Sequence, residues 1–518
     1  MTSTLNYTEN YTTNQLVLPL DLEIILSPKS EVHTYLELTK GINFNKYFGK
    51  SSNLGRIPKN RVKIINAILF GYMIGYRSTR RLEEACKNDI RFMYIISGMA
   101  APSHTLINNV MNEIKEKLDS LLLEVNQEIM KREEIEIDKL YIDGTKIEAD
   151  ANKYTFIWKK SVLKHRDKLY LKITKEIPKL NEVFSENGYK KIEIKDKYRS
   201  QDIEKQANRL KGIIKYLKIE LVYGKGQRKK PIQRVYDNIK AYSVKLGEYE
   251  EHLRIIGPNR NSYSKTDHDA TFMHHKEDHM RNAQLKPGYN IQIGVSNEYI
   301  MVVEAYQNGA DQLTFEPLLE KYNIMYNRYP KFPVADAGYG SYDNYTYCLH
   351  NNMELYQKYG MWEKERSNKF KKEIYRVENF KINRKGDYIC PNNKKFEWVR
   401  DYQSKYKRYD HTIKEYECFY CSKCRQKDKC TKAKGNRKIT ILQGYKEMKE
   451  KVKENLASPL GIELRTQRSI QVEGAFGVIK EDMKFRRFTR TTFSGIRLEI
   501  NLIAIGYNLK KFHNKKYR

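Results

Sequence analysis

Three acidic residues in separate parts of the chain have the types and settings that phosphodiester chemistry needs. Asp143 and Asp336 each end a short apolar run of strand type, and Glu473 lies in a stretch with helical spacing. Carboxylate oxygens are the ligands that Mg²⁺ and Mn²⁺ prefer. Two such ions about 3.5–4 Å apart can activate an attacking oxygen and stabilise the leaving oxygen. These side chains are therefore candidate ligands for two Mg²⁺ (or Mn²⁺) ions.

Each acid alone also has a simpler interpretation. An aspartate closely followed by glycine is common in turns. Around Glu473, apolar residues recur at helical spacing and form one stripe: Val472, Phe476, Ile479 and Met483. On an ideal helix Glu473 lies about a quarter turn from that stripe, with Lys480 on the same face. Glu473 could then face a metal and Lys480 a phosphate, although an exposed acid on an amphipathic helix gives the same pattern.

The sequence also predicts the helices and strands that would position these acids. One apolar helix is predicted from Pro58, and two more after Ser78 and Ser103, which suit N-cap positions. Strands are predicted at 288–296 and 299–306, and residues 469–512 are predicted to be helical. Without two insertions the order is strand, strand, strand, helix, strand, helix. That order favours an α/β chain with a ribonuclease-H-like catalytic core.

The core is expected to be interrupted by a helical insertion and a Cys-rich insertion, and preceded by an all-helical N-terminal domain. The predicted boundaries are 1–130 for the helical DNA-binding domain, 131–155 for the first part of the core, 156–262 for the helical insertion, 263–344 for the core strands and helix with the second aspartate, 345–460 for the insertion with the cysteine cluster, and 461–518 for the C-terminal helical part with the glutamate.

The charge of the chain favours a polyanionic partner. Its 96 Lys and Arg against 64 Asp and Glu give a formal net charge of +32. Each phosphate that a basic residue neutralises releases condensed counterions, so DNA is the expected partner. A lysine-rich composition with solvated basic faces explains part of this excess. No run of about 18 apolar residues and no signal peptide is visible, so we expect a cytoplasmic, nucleoid-associated protein without a membrane partner.

A cysteine cluster gives a second candidate metal site. Cys418, Cys421, Cys424 and Cys430 follow one another at short spacings, with Cys390 upstream. Zinc takes four soft ligands in a tetrahedron, and such a run can supply them. An iron–sulfur cluster and free thiols are the alternatives, and a structural zinc site is the favoured interpretation.

Two further features have competing interpretations. Trp158 could stack on a displaced DNA base, or it could be a core residue. Asp267 and Asp269 flank a histidine and could form a rival metal site, or an ordered loop beside the cleft.

Taken together, the three acidic motifs resemble the DDE transposases of bacterial insertion sequences. They are Asp143-Gly-Thr-Lys-Ile-Glu-Ala-Asp, Val334-Ala-Asp-Ala-Gly-Tyr-Gly-Ser and Val472-Glu-Gly-Ala-Phe-Gly-Val-Ile-Lys. The similarity extends from about residue 15 to 512 and includes the helical N-terminal domain of the group related to the Tyr-Arg-Glu-Lys signature. It implies a metal triad of Asp143, Asp336 and Glu473, and a contact of Lys480 with transposon-end phosphates.

The same resemblance implies cleavage at the ends of a mobile element, strand transfer into target DNA, and a dimer in the synaptic complex. Counted back from Glu473, the signature's arginine and tyrosine positions hold Ser469 and Thr466. Arg465 and Arg468 lie one residue out of register and are candidate DNA contacts. On an ideal helix Arg468 lies about 140° from Glu473. Two other functions remain open: a non-catalytic DNA-binding regulator and a metal-dependent nuclease without strand transfer.

Overall fold

The N-terminal region of the molecule is helical, as predicted. The computed structural model describes residues 26–49, 59–97, 99–223, 227–275, 284–404, 408–442 and 444–518. Its first helices are α1 (Glu31–Thr39), α2 (Arg61–Met73), α3 (Thr79–Asn88), α4 (Ile90–Ile96), α5 (His104–Ile114) and α6 (Leu118–Met130). The Ser103 hydroxyl accepts a hydrogen bond from the Leu106 N–H at 3.3 Å and caps α5. The expected helix start at Pro58 lies outside the described residues.

A mixed sheet follows the helices. Its strands and the small ribbon beside it are β1 (Lys139–Glu148), β2 (Phe156–Trp158), β3 (Ser262–Ser264), β4 (Thr271–His274), β5 (Leu285–Ser296), β6 (Tyr299–Tyr306), β7 (Phe332–Gly340) and β8 (Tyr356–Tyr359). In space the order is β6, β5, β1, β7, β8, with β4 beside the first half of β5. β1 is antiparallel to β5 and parallel to β7, and β7 is parallel to β8. The expectation of a mixed α/β chain is confirmed.

The β5–β6 hairpin was predicted with the correct β6 and the correct end of β5, but β5 begins at Leu285, three residues before the predicted start. Asn297 and Glu298 join the strands with φ angles of 49° and 71°. A two-residue turn with positive φ at both positions matches the twist of the strands, and asparagine tolerates that conformation. Beyond its first two residues β5 is buried throughout, because helices cover both faces of the sheet.

Three long helices connect β2 to β3 and have a hydrophobic core of their own. They are α7 (Lys159–Glu186), α8 (Ser200–Tyr216) and α9 (Pro231–Ile256). Residues 156–158 were expected to open this helical stretch, but they form β2, which pairs with β3. α8 ends at Tyr216, and helical structure resumes at Pro231 with α9.

One helix, α10 (Phe315–Tyr326), lies between β6 and β7. After β7 the chain builds a second, smaller set of elements. They are α11 (Tyr342–His350), α12 (Trp362–Arg366), α13 (Asn368–Lys371), β9 (Lys381–Ile382), β10 (Tyr388–Ile389), β11 (Glu397–Gln403), β12 (Thr412–Cys418), α14 (Lys427–Cys430), β13 (Arg437–Leu442) and α15 (Tyr445–Ala457). β9 pairs with β10, and β11, β12 and β13 form a three-stranded antiparallel sheet.

The C-terminal part contains α16 (Pro459–Gly477), a π-helical turn (Val478–Asp482) and α17 (Phe493–Lys516). The prediction of one helical stretch over 469–512 is therefore wrong between the π turn and α17. α17 packs against α2 and β6, and its Gly506 meets the backbone of Tyr72. A Cβ at Gly506 would lie 2.5 Å from the Tyr72 carbonyl carbon, so only glycine permits this helix crossing.

Gly506→Ala should lower stability by about 2 kcal/mol, because overpacking a fixed backbone contact forces the two helices apart. Gly212→Ala is the matched control, since a Cβ there meets no atom within 4 Å and lies inside α8. The control should be neutral or stabilising by up to about 1 kcal/mol. Thermal and urea unfolding midpoints measure both. Equal midpoints for the two variants would contradict the close approach of α17 to α2.

Candidate active site

Asp143 and Asp336 lie side by side where two parallel strands separate. The last paired residues of β1 and β7 are Ile142 and Ala335, and the aspartates are the next residue on each strand. β1 does not end at Asp143, as the sequence had suggested, because its antiparallel pairing with β5 continues to Glu148. The aspartates therefore project from a rigid sheet at the point where β7 leaves its neighbour.

Backbone N–H groups fix one oxygen of each carboxylate. Asp143 Oδ1 accepts from the Gly144 N–H at 2.8 Å, and Asp336 Oδ1 accepts from the Gly338 N–H at 2.8 Å. The Asp143 side chain is 14% exposed and that of Asp336 is 38% exposed. In both residues the second oxygen, Oδ2, faces the guanidinium of Arg468.

Arg468 is the shared counter-charge of the two aspartates. Its Nη2 lies 2.7 Å from Asp143 Oδ2 and 3.9 Å from Asp336 Oδ2. The residue lies on the buried face of α16 with Leu464, Val472 and Ala475. Its Nε is buried and has no hydrogen-bond acceptor among the described residues. In this conformation the Arg468 guanidinium neutralises the two carboxylates of the candidate site.

The structure gives Glu473 a different environment from the aspartates. Glu473 is on the exposed side of α16, whereas its neighbour Val472 is buried. Nowhere in the described ranges do three or more His, Cys, Asp or Glu side chains lie close enough to hold a metal ion. Asp143 and Asp336 are thus brought together, and the expected third ligand is not placed with them. The two Oδ2 atoms remain a hard-oxygen pair of the kind that Mg²⁺ takes.

The other basic residues on this segment also depart from ideal helix geometry. Lys480 belongs to the π turn, so it does not continue the α-helical face of Glu473 as predicted. Arg465 donates from Nε to the Gly461 carbonyl of its own helix at 3.2 Å.

A buried polar network lies beneath the aspartates, and sequence reasoning missed it. Asp311 Oδ1 accepts from Asn290 Nδ2 at 2.7 Å and from Gln292 Nε2 at 3.1 Å. The Tyr339 hydroxyl donates to Gln292 Oε1. Burial, together with the charges of nearby acids that include Asp311, raises the pKa of Tyr339 well above its ordinary value. Tyr339 therefore remains a protonated hydrogen-bond donor.

Two glycines allow this network to reach the aspartates. A Cβ at Gly144 would lie 2.0 Å from Gln292 Nε2, because Gln292 is its cross-strand partner. Gly144 thus makes room for an amide and does not end the strand. A Cβ at Gly338 would lie 3.1 Å from Asp336 Oδ1 and 3.7 Å from Asp311 Oδ2. Asp311 is therefore a further carboxylate beside Asp336, and no sequence motif marked it as a site residue.

The rival acidic loop has a structural task. Asp267 Oδ2 accepts from the Tyr289 hydroxyl at 2.8 Å, and Asp269 Oδ2 accepts from the Phe493 N–H at 2.8 Å. These bonds join the loop to β5 and to the start of α17. Trp158 is partly buried, with its ring 6.3 Å from that of Phe272.

All five cysteines of the Cys-rich region line one pocket. Cys390, Cys418 and Cys421 are buried, while Cys424 and Cys430 are partly exposed. Burial, with the neighbouring Cys421 and Cys390 thiols, raises the pKa of Cys418 to about 12. Each of the seven cysteines is free of disulfides.

No helix among the described residues is long and apolar enough to cross a membrane.

Two family models match the chain, one at each end. Residues 26–113 match the model described as "Transposase domain (DUF772)", and residues 389–513 match the model described as "Transposase DDE domain". The second match includes α16 with Arg468 and Glu473. Searches of curated proteins and of solved structures found no significant match. Together, the matches at the two ends of the chain indicate an insertion-sequence DDE transposase.

Proposed function

We propose that the protein is a metal-dependent DNA transposase that cleaves at the ends of its element and joins the freed 3′-OH to target DNA. The observation that carries the proposal is the pair Asp143 and Asp336, held side by side where β1 and β7 separate. The regions that match transposase models, 26–113 and 389–513, lie before and after this pair in the sequence. Because two ends must be held together for strand transfer, the reacting species is at least a dimer.

The sheet supports a ribonuclease-H-like core. Three antiparallel strands, β6, β5 and β1, are followed in space by two parallel ones, β7 and β8. In this proposal the core is interrupted by the helical insertion, 156–262, and by the Cys-rich insertion, 345–460. The boundaries 1–130, 131–155, 263–344 and 461–518 complete the domain division.

Two Mg²⁺ or Mn²⁺ ions would be held by Asp143 and Asp336, with Glu473 as the third ligand. DDE transposase domains generally use divalent metals, which activate the attacking oxygen and stabilise the leaving one. The chain's own part is to fix the Oδ1 atoms with backbone N–H groups and to present the Oδ2 atoms on the same side. Arg468 must withdraw from those Oδ2 atoms, and α16 must bring Glu473 toward them.

One observation favours a second candidate, a non-catalytic DNA-binding regulator. Arg468 already neutralises the aspartate pair at 2.7 Å and 3.9 Å, as an arginine would in a site that takes no metal. A nuclease without strand transfer shares all the chemistry of the transposase and differs only in its use of target DNA.

Asp143→Asn and Asp336→Asn should each lower Mg²⁺-dependent cleavage of a supercoiled plasmid bearing the element's ends by about 100-fold or more. Each substitution replaces a charged metal ligand with a neutral amide, so the metal ions that stabilise the transferring phosphoryl group would bind more weakly. Asp138→Asn is the matched control, because Asp138 is exposed, lies just before β1 and pairs with Arg328. Products with 3′-OH ends that join a target plasmid identify a transposase. Binding of the ends without any cleavage by the unmodified protein would favour the regulator.

Glu473→Gln should abolish cleavage while Glu463→Gln should not, although both glutamates are exposed on α16. Glu463 lies 3.7 Å from Lys139 and away from the aspartate pair. Binding of the ends should stay within about twofold for both variants, since each changes one exposed charge. Full cleavage by Glu473→Gln would remove this residue from the proposed triad.

Arg468→Gln should tighten Mn²⁺ binding, measured by electron paramagnetic resonance without DNA, by about 10-fold. A single positive charge about 5 Å from a divalent ion costs about 1.7 kcal/mol even in the dielectric of water. Arg465→Gln removes the same charge from the same helix but lies against the Gly461 carbonyl, so its Mn²⁺ affinity should not change. Equal affinities for the two variants would contradict competition between Arg468 and the metal.

A further inference from the structure

The Cys-rich region has a core that is small for its length. Its separate hydrophobic cluster contains six buried side chains, and three of them are cysteines: Phe380, Cys390, Phe396, Cys418, Cys421 and Ile439. β11 is exposed along almost all of its length, so the three-stranded sheet adds little burial. Regions with so little apolar core usually depend on disulfides or a metal. In the described conformation the cysteines form no disulfides, which leaves a metal as the stabiliser to consider.

The cysteines that form this core come from separate elements. Cys390 follows β10, Cys418 ends β12, and Cys421 and Cys424 belong to the turn after β12. The Cys421 thiol donates to the Cys418 carbonyl at 3.2 Å. Asn392, two residues after Cys390, donates from Nδ2 to Cys424 Sγ at 3.6 Å. The turn that begins at Cys390 and the turn from Cys421 to Cys424 therefore meet across one pocket.

N–H groups already point at sulfur in this pocket. The Lys394 N–H donates to Cys390 Sγ at 3.3 Å, and the Arg437 N–H donates to Cys421 Sγ at 3.4 Å. A neutral thiol is a weak acceptor, whereas a metal-bound thiolate gains from such donors, which orient it and balance its charge. The backbone donors on Cys390 and Cys421 would thus stabilise thiolates at these two positions.

Cys430 also lines the pocket, but its thiol is contacted by a charged side chain, that of Arg437. The Arg437 Nη1 lies 2.8 Å from Cys430 Sγ, and its Nη2 donates to the Tyr375 carbonyl at 2.8 Å. The same guanidinium lies over the Phe380 ring at 4.8 Å. Three contacts fix Arg437, and Arg437 in turn fixes the Cys430 thiol.

We propose that Cys390, Cys418, Cys421 and Cys424 hold one structural Zn²⁺, and that Cys430 is a partner of Arg437 outside the ligand set. This set replaces Cys430 of the sequence-based expectation with Cys390. The four sulfurs are not yet at coordination distance in the described conformation. Zinc binding would require the four thiols to turn toward the pocket and to lose their protons to solvent, and the ion would supply the tetrahedral centre that four thiolates favour. The site does not depend on the proposed transposase activity.

The test is the metal content of the full-length chain, purified under reducing conditions without chelator. Elemental analysis should find about one zinc per chain. The Cys390→Ser and Cys424→Ser variants should lose it, whereas Cys430→Ser should keep it. Cys86→Ser is the control for a buried thiol elsewhere, since Cys86 lies on α3. Cobalt in place of zinc should give the strong visible bands of tetrahedral thiolate coordination.

Protein that neither contains zinc nor takes it up after reduction would overturn the proposal, as would iron with inorganic sulfide in its place. Zinc lost in Cys430→Ser but kept in Cys424→Ser would overturn the ligand set. If a ligand variant fails to fold, the wild-type chain still decides the matter. A mercurial titrated against it should release its zinc only as the pocket thiols react.

Discussion

Two carboxylates held side by side repel each other, and the fold around the candidate site must supply a positive charge to offset that repulsion. Here the charge is the guanidinium of Arg468, which reaches both Asp143 and Asp336. A largely covered arginine can do this only if its helix keeps a fixed position on the sheet. α16 is held there by apolar neighbours of Arg468 on the same face, such as Leu464 and Val472. The charge balance of the candidate site therefore depends on the packing of α16 against the sheet.

The strand pairing of the sheet fixes the positions of the two aspartates. Parallel pairing aligns residues 139–142 with 332–335 and then stops, which leaves the next residue of each strand free of that pairing. Antiparallel pairing with β5 keeps β1 straight beyond this point. The side-chain amide of Gln292 lies against Gly144. It donates a hydrogen bond to Asp311 and accepts one from the Tyr339 hydroxyl. The site is thus rigid on its sheet side, and the helix α16 is the part that must move if a metal is to enter.

Local patterns were enough to predict some of this and not the rest. The β5–β6 hairpin and the helix caps were predicted because alternation and capping depend on neighbouring residues. The continuation of β1 past Asp143 was missed because pairing with β5, far along the chain, decides it. Asp311 was missed for the same reason, since its partners lie on another strand. Lys480 does not lie on the helix face of Glu473 because a π turn follows α16, and no local sequence pattern predicted that turn.

The meeting of α17 with α2 at Gly506 bears on how this protein is made. The first helices of the chain complete their packing against the last one, which also carries a link from Lys510 to Glu31 of α1 at 3.0 Å. During synthesis the N-terminal helices must therefore wait, with apolar surface uncovered, until the ribosome has released the C-terminal residues. A copy cut short by a premature stop codon would leave that surface exposed to proteases. Only intact copies of the gene would then accumulate protein.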